Sequence, residues 1–219
     1  MILTTTYFGS VNWYAQLARA TEPVYIDPCE RFVKQTERSR CRIATANGVQ
    51  TLSVPVTKQP QPIPNHQHLT PNHQHPSPIT HHPSPTTPTI SDHANWRHQH
   101  WNALCSAYGE SPFFDYYADD IKPFFEPNWT NLYDFNYDIM KKLCELLDIP
   151  APIFAAPSTE DVQHLSALSQ EKDDNLLAFS VSPYYQTFAK KHGFIADLSV
   201  LDLLFNEGNE SILYLLGRK

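Results

Sequence analysis

Leu132, Phe135, Ile139, Leu143 and Leu146 recur at intervals of three and four residues, the spacing of one apolar stripe on an α-helix. Thr130 or Asn131 stands ahead of the stripe as an N-cap, and Ile149-Pro150 ends it, so a helix is predicted to about Asp148. Asp138 and Lys142, four apart on the other face, are spaced to pair. A second stripe of Trp101, Leu104, Cys105 and Tyr108, with Arg97 and His100 a turn earlier, predicts a helix from a Ser91 or Asp92 cap to about Tyr108, stopped by Gly109. Ser182-Pro183 has the form of an N-cap followed by proline at the first helical position. Lys190, Lys191 and His192 suit the negative end of that helix, and Gly193 stops it. Leu198-Ser199-x-x-Asp202-Leu203 combines a capping-box variant with a hydrophobic staple, Gly208 closes the helix, and Asn209 caps a last one over residues 210–216.

The N-terminal pattern is shorter in period. Ile2 to Thr5 is a predicted strand, Tyr7 to Ser10 a turn, Val11 to Ala20 a helix and Val24-Tyr25-Ile26 a strand ending at Asp27. Cys41 to Ala44 and Thr51 to Val56 are strands joined through Asn47-Gly48, a hairpin signal. The expected fold class is α/β, with a small mixed sheet from the N-terminal third and helices from the C-terminal half.

Both periods fail between Gln59 and Pro88. There Pro64-Asn65-His66-Gln67-His68-Leu69-Thr70 is followed by Pro71-Asn72-His73-Gln74-His75-Pro76-Ser77 and then Pro78-Ile79-Thr80-His81-His82-Pro83-Ser84. The repeat lacks apolar heptad positions and is full of proline, so it cannot bury enough surface to offset its ordering entropy. The expectation is one domain, residues 1–58 and 89–219, interrupted by a disordered low-complexity insert at 59–88. Its paired histidines make metal capture one functional reading. A tandem expansion in a surface loop, here the connection from the Thr51–Val56 strand to the next helix, explains the same pattern, because lengthening a loop costs little.

The 219 residues are 41% hydrophobic, enough for a core of ordinary size. A net charge of −7 without a basic patch argues against nucleic acid as a partner. No apolar run approaches the ~20 residues of a membrane span. Met1 to Thr6 lacks the charged and apolar regions of an export signal, so a cytoplasmic location is expected, with Cys29, Cys41, Cys105 and Cys144 as free thiols.

Candidate chemistry is sparse. His98 and His100 are two apart, poor spacing for a metal on a helix; His100 reads as a core histidine and His98 as a candidate acid or base. Asp27 stands where a strand meets a loop, and Arg31, Lys34, Arg38, Arg40 and Arg42 follow, side chains able to hold a phosphate or carboxylate. Cys29 is a weak nucleophile candidate. Asp202 and Asn206 lie one turn apart on one helical face, and Asp202 serves either a site or its own helix cap. No phosphate-binding loop, dinucleotide fingerprint, nucleophile elbow or zinc-protease motif is present, and neither cofactor nor metal is expected.

Several of these stretches together resemble the WbqC-like protein family, most closely its Bacteroidetes branch. They are Leu3 to Tyr14, Tyr25-Ile26-Asp27 through Lys34 to Ile43, Thr51 to Val56, Ile90 to Tyr108, Pro183 to Phe188, and Leu198 to Gly208. The family's opening proline is Gly9 here, and its asparagine before the arginine is Ser39. The resemblance implies a cytoplasmic enzyme of surface-polysaccharide or O-antigen synthesis that transfers an acyl or aminoacyl (glycyl-like) group to an amino sugar. The expected partners are a sugar nucleotide or amino sugar and an acyl or aminoacyl carrier protein. The resemblance also adds weight to Asp27, His98 and Asp202 as catalytic residues and to Arg40, Trp96, Arg97, Tyr185, Gln186, Asn206 and Glu207 as substrate-binding ones. A non-catalytic binding or scaffold protein of such a pathway, or a His-rich metal-binding protein, are the alternatives.

Overall fold

Ile2–Leu3 (β1) and Tyr25–Ile26 (β2) pair in parallel, and Val11–Ala18 (α1) makes the crossover between them. A computed structural model describes residues 1–26, 32–57, 88–154 and 181–219. On its other edge β2 pairs in parallel with Ile153–Phe154 (β7), so β2 is the middle strand of a three-stranded sheet. Arg40–Thr45 (β3) and Gly48–Ser53 (β4) form the expected hairpin, closed by Thr45 opposite Gly48. Gly48 takes φ +105, which a side chain would resist. Along β3 the pleat buries Cys41 and Ile43 and leaves Arg40 and Arg42 on the other face. Val56–Thr57 (β5) pairs antiparallel with Thr89–Ile90 (β6).

The α/β class, with parallel and antiparallel pairings side by side, is therefore borne out. The sequence placed the insert in a strand-to-helix connection; instead it joins two strands that pair, with Thr57 opposite Thr89. The insert itself lies outside the described residues, as do the flexible-loop and metal-capture readings made of it.

The helices follow as Trp96–Tyr108 (α2), Phe114–Ile121 (α3), Leu132–Leu146 (α4), Ala189–His192 (α5), Val200–Glu207 (α6) and Ser211–Leu215 (α7). In α4 the Asn131 Oδ1 cap accepts from the Tyr133 and Asp134 amides at 2.8 and 3.2 Å, and Leu132, Phe135, Ile139 and Leu143 are buried. The expected Asp138–Lys142 pair does not form. Asp138 instead accepts from the Trp129 indole at 2.7 Å, and Lys142 pairs with Glu145 at 3.0 Å. α2 starts later than its sequence caps because Ala94 and Asn95 turn left-handed, at φ +62 and +51. No helix begins at Ser182-Pro183: residues 181–186 run without helix, held by side chains described below. Asn209 does not cap the last helix, since its Oδ1 accepts from the Tyr117 hydroxyl at 2.9 Å. Sequence reading passed over α3, although Phe114, Tyr117 and Ile121 form a legible stripe and are buried.

The core centres on an aromatic layer. Phe8 stacks on Phe125 at 5.9 Å between centroids, and Tyr7, Trp96 and Phe135 pack edge-on or tilted around them. His100 is the core histidine the sequence suggested: its Nδ1 pairs with the Tyr7 hydroxyl at 2.8 Å, and burial lowers its pKa to about 4. Cys41, Cys105 and Cys144 are free thiols, while Cys29 lies outside the described residues. Among the described residues no helix is long and apolar enough to cross a membrane.

Because β5 and β6 bring residues 57 and 89 together, replacing residues 58–87 with Asn-Gly should leave the fold intact. Circular dichroism should show unchanged helicity and a melting temperature within about 4 °C of the parent, the shift of roughly 1 kcal/mol or less in a domain of this size. A larger drop would mean that the insert packs on the domain.

Candidate functional site

Ser10 and Ser199 are the N-caps of α1 and α6, and the two turns are stitched together. The residues form an antiparallel bridge, Val11 N–H donates to Leu198 O at 2.9 Å, Val200 N–H to Gly9 O at 2.9 Å, and Ser199 Oγ–H to Phe8 O at 2.7 Å. Ser199 N–H also donates to Arg42 O at 2.8 Å, which brings β3 against the same turns. A cleft of about 250 Å³ opens at this junction. Its walls include Phe8, Gln35, Glu37, Arg40, Arg42 and Asp197.

Two observations set the cleft apart. The first is strain. Six non-glycine residues of the described chain have left-handed φ, and three of them, Phe8 (+46), Gln35 (+66) and Asp197 (+55), line this one cleft. Such conformations cost about 1–2 kcal/mol each and persist only where the surroundings enforce them, which happens most at functional sites. The second is electrostatic. Glu37 Oε2 accepts from the Ser10 amide at 3.1 Å and Asp197 Oδ1 from the Asn12 amide at 3.2 Å, so two carboxylates sit at the positive end of α1. Burial pushes the Glu37 carboxyl above its ordinary pKa; the Ser10 contacts oppose this, Asp197 adds to it, and Arg42 counters. A carboxyl of raised basicity beside Arg40 and Arg42 can accept a proton while the guanidinium groups hold an anionic group. Cys41 also lines the cleft, but burial raises its thiol pKa far enough to keep it protonated. Among the described residues no group of three or more His, Cys, Asp or Glu side chains is placed to hold a metal ion.

The residues singled out by sequence fall in three places. Arg40 lines the cleft. Trp96, Arg97 and His98 line a separate groove at the start of α2. Tyr185, Gln186, Asp202, Asn206 and Glu207 form a clasp that fastens the 184–187 segment to α6. Asp27 lies outside the described residues. In the clasp, Asp202 Oδ2 accepts from the Tyr184 hydroxyl at 2.7 Å and from Gln186 Nε2 at 2.8 Å. Gln186 also bonds both backbone groups of Ile195, at 2.9 Å each. Asn206 Nδ2 donates to Asp202 O at 2.7 Å and its Oδ1 accepts from Thr187, while Glu207 takes the Tyr185 amide at 2.9 Å. Tyr185 leaves its ring exposed. This clasp holds residues 184–187 away from the helix that Ser182-Pro183 announces. Asp202 does not finish the α6 cap either, because the Ser199 amide is already given to Arg42 O. Its Oδ1 is buried without a partner among the described residues. Sequence reading missed Ser10, Gln35, Glu37 and Asp197 as site residues. Glu37 was hinted at only by its place within the Arg31 to Arg42 charge run and the Lys34 to Ile43 stretch, and the strain at Phe8, Gln35 and Asp197 leaves no trace in residue type.

The chain is thus an α/β domain with a charged cleft where two helices begin beside a hairpin. The WbqC-like resemblance is borne out: that family's model matches residues 78–175, the span that carries α2, α3 and α4. The chain is also similar to the uncharacterized protein Rv1507c of Mycobacterium tuberculosis, 25% identical over 242 residues, with 98% of this chain and 96% of that protein covered. No solved structure matches it.

The clasp predicts a pH effect. Burial raises the Asp202 pKa above its ordinary value, against the hydrogen bonds of Tyr184 and Gln186. A carboxyl whose folded pKa lies above its unfolded value contributes stability that is full below the unfolded value and lost as pH rises through the folded one. Asp202→Asn keeps an oxygen for Tyr184 and Gln186 but cannot ionise. Relative to the parent its melting temperature should therefore rise as pH goes from about 4 to 7; a constant difference in calorimetric scans would sink this account. A separate test concerns close packing. A Cβ on Gly9 would stand 2.5 Å from Thr6 Oγ1, so Gly9→Ala should destabilise the fold by about 1–3 kcal/mol in urea titrations.

Proposed function

We propose that the protein carries out a transfer step of surface-polysaccharide synthesis, placing an acyl or aminoacyl group on an amino sugar, and that the step occurs in the Glu37–Arg40–Arg42 cleft. The observation that carries this reading is the clustering of three strained residues around a half-buried carboxyl of raised pKa and two arginines. The WbqC-like match supports the pathway. In the step, the sugar amine attacks the acyl carbonyl of the donor, the new C–N bond forms, and the bond to the carrier breaks. Glu37 accepts the proton the amine gives up and passes it to the departing group. Arg40 and Arg42 hold a phosphate of the sugar nucleotide or of the carrier's arm. The Ser10 amide, at 3.1 Å from Oε2, holds the carboxyl in place at the cleft.

Glu37→Gln retains an oxygen for Ser10 and should fold normally. It should lower acyl transfer by about 100-fold or more, the scale of a lost general base. Mass spectrometry of surface polysaccharide from cells carrying the variant should then show the acyl substituent missing. Arg40→Ala should weaken use of the substrate with the fold unchanged. Normal acylation in cells carrying stably folded Glu37→Gln would overturn the reading.

A further inference from the structure

We infer that the groove at the start of α2 is a second binding site, separate from the cleft, and that it takes a sugar unit bearing an acid group. The groove has a volume of about 360 Å³, within the range of small-ligand sites. Its floor is aromatic: Trp101 is half-buried and tilts against Phe125 at 5.7 Å between centroids, with Phe114 stacked behind it at 6.0 Å. Its rim is polar and exposed, with Asn95, His98, Lys122 and Glu126 at the edge. An apolar floor with hydrogen-bonding groups around it matches a sugar ring, whose C–H face is apolar and whose edge carries hydroxyls.

The groove is also preformed. Arg97 is 7% exposed and ties its two walls together. Nε donates to Asp92 at 2.9 Å, Nη1 to Glu126 O at 2.9 Å and Nη2 to Trp129 O at 3.2 Å. The guanidinium lies over Trp96 at 4.5 Å, which locks it further. A guanidinium has five N–H groups, so one on each Nη remains unused among the described residues at the groove wall. Lys122 forms no ion pair among the described residues, whereas Asp92 is engaged by Arg97. The free cation therefore selects a carboxylate or phosphate on the sugar.

The two concavities share one partition. Phe8 lines the cleft, Phe125 lines the groove, and the two rings stack. The inference concerns binding alone, so it stands or falls apart from the transfer chemistry proposed for the cleft.

The test uses the full-length protein with glucuronic acid and, for comparison, glucose, followed by saturation-transfer NMR. Glucuronic acid should bind more tightly by about fivefold, and Lys122→Ala should remove that preference, as expected for an exposed ion pair. Trp101→Ala should weaken glucuronic acid by about tenfold or more, and the exposed His98→Ala, which leaves the core untouched, by about threefold or more. Glu37→Gln should bind both sugars as the parent does, whatever its effect on transfer. Absence of glucuronic acid binding at about 50 mM, or binding indifferent to both Trp101→Ala and His98→Ala, would overturn the inference.

Discussion

The rest of the structure depends on the join between two helix starts. Ser10 and Ser199 are 189 positions apart in the chain, yet their turns exchange backbone hydrogen bonds as neighbouring strands do. Each turn satisfies donors that a helix start leaves open. Ser199 also reaches β3 through Arg42 O, so α1, α6 and the hairpin are fixed to one another at a single place. Gly9 stands in this join without a side chain because Thr6 fills the space beside it. The left-handed residues Phe8 and Asp197 flank the same join, and the hydrogen bonds there are what hold them in those conformations.

Two acidic side chains show how environment assigns roles. Glu37 and Asp202 are both raised in pKa by burial. Glu37 is fixed at one oxygen by a backbone amide and opens on a cleft. Asp202 is sealed under Tyr184 and Gln186 and accepts a hydrogen bond from each. The same carboxyl chemistry leaves one group open to a cleft and ties the other into a buried contact, and access to solvent separates the two.

Legibility in the sequence tracked how local the cause was. The α4 stripe and its Asn131 cap were readable because both act within a few residues. So were the Asn47-Gly48 hairpin, the Gly208 stop and the core position of His100. The start of α2 was not, since Ser91 and Asp92 are good caps locally, yet the chain turns left-handed at Ala94-Asn95 and the helix begins after that turn. The Ser182-Pro183 signal misled because bonds from Asp202, Asn206 and Glu207, distant in the chain, outcompete a helix of only a few turns. Arg97, read as a substrate-binding side chain, lines the groove at the start of α2 and gives three of its N–H groups to Asp92 and two carbonyls, contacts that no local pattern announces.

By itself, the sequence determined the class of fold, most helices and strands, the position of the repeat between two halves of one domain, and the likeness to the WbqC-like family. These depend on periodicity, caps and turn residues, which act over a few positions. Only the tertiary structure decided which charged residues meet. It put Ser10, Gln35, Glu37, Arg40, Arg42 and Asp197 around one cleft, drew Asp202 into a clasp, and set Trp96, Arg97 and His98 along another groove. Those outcomes follow from hydrogen bonds and strain between segments far apart in the chain, and no local pattern encodes such distances.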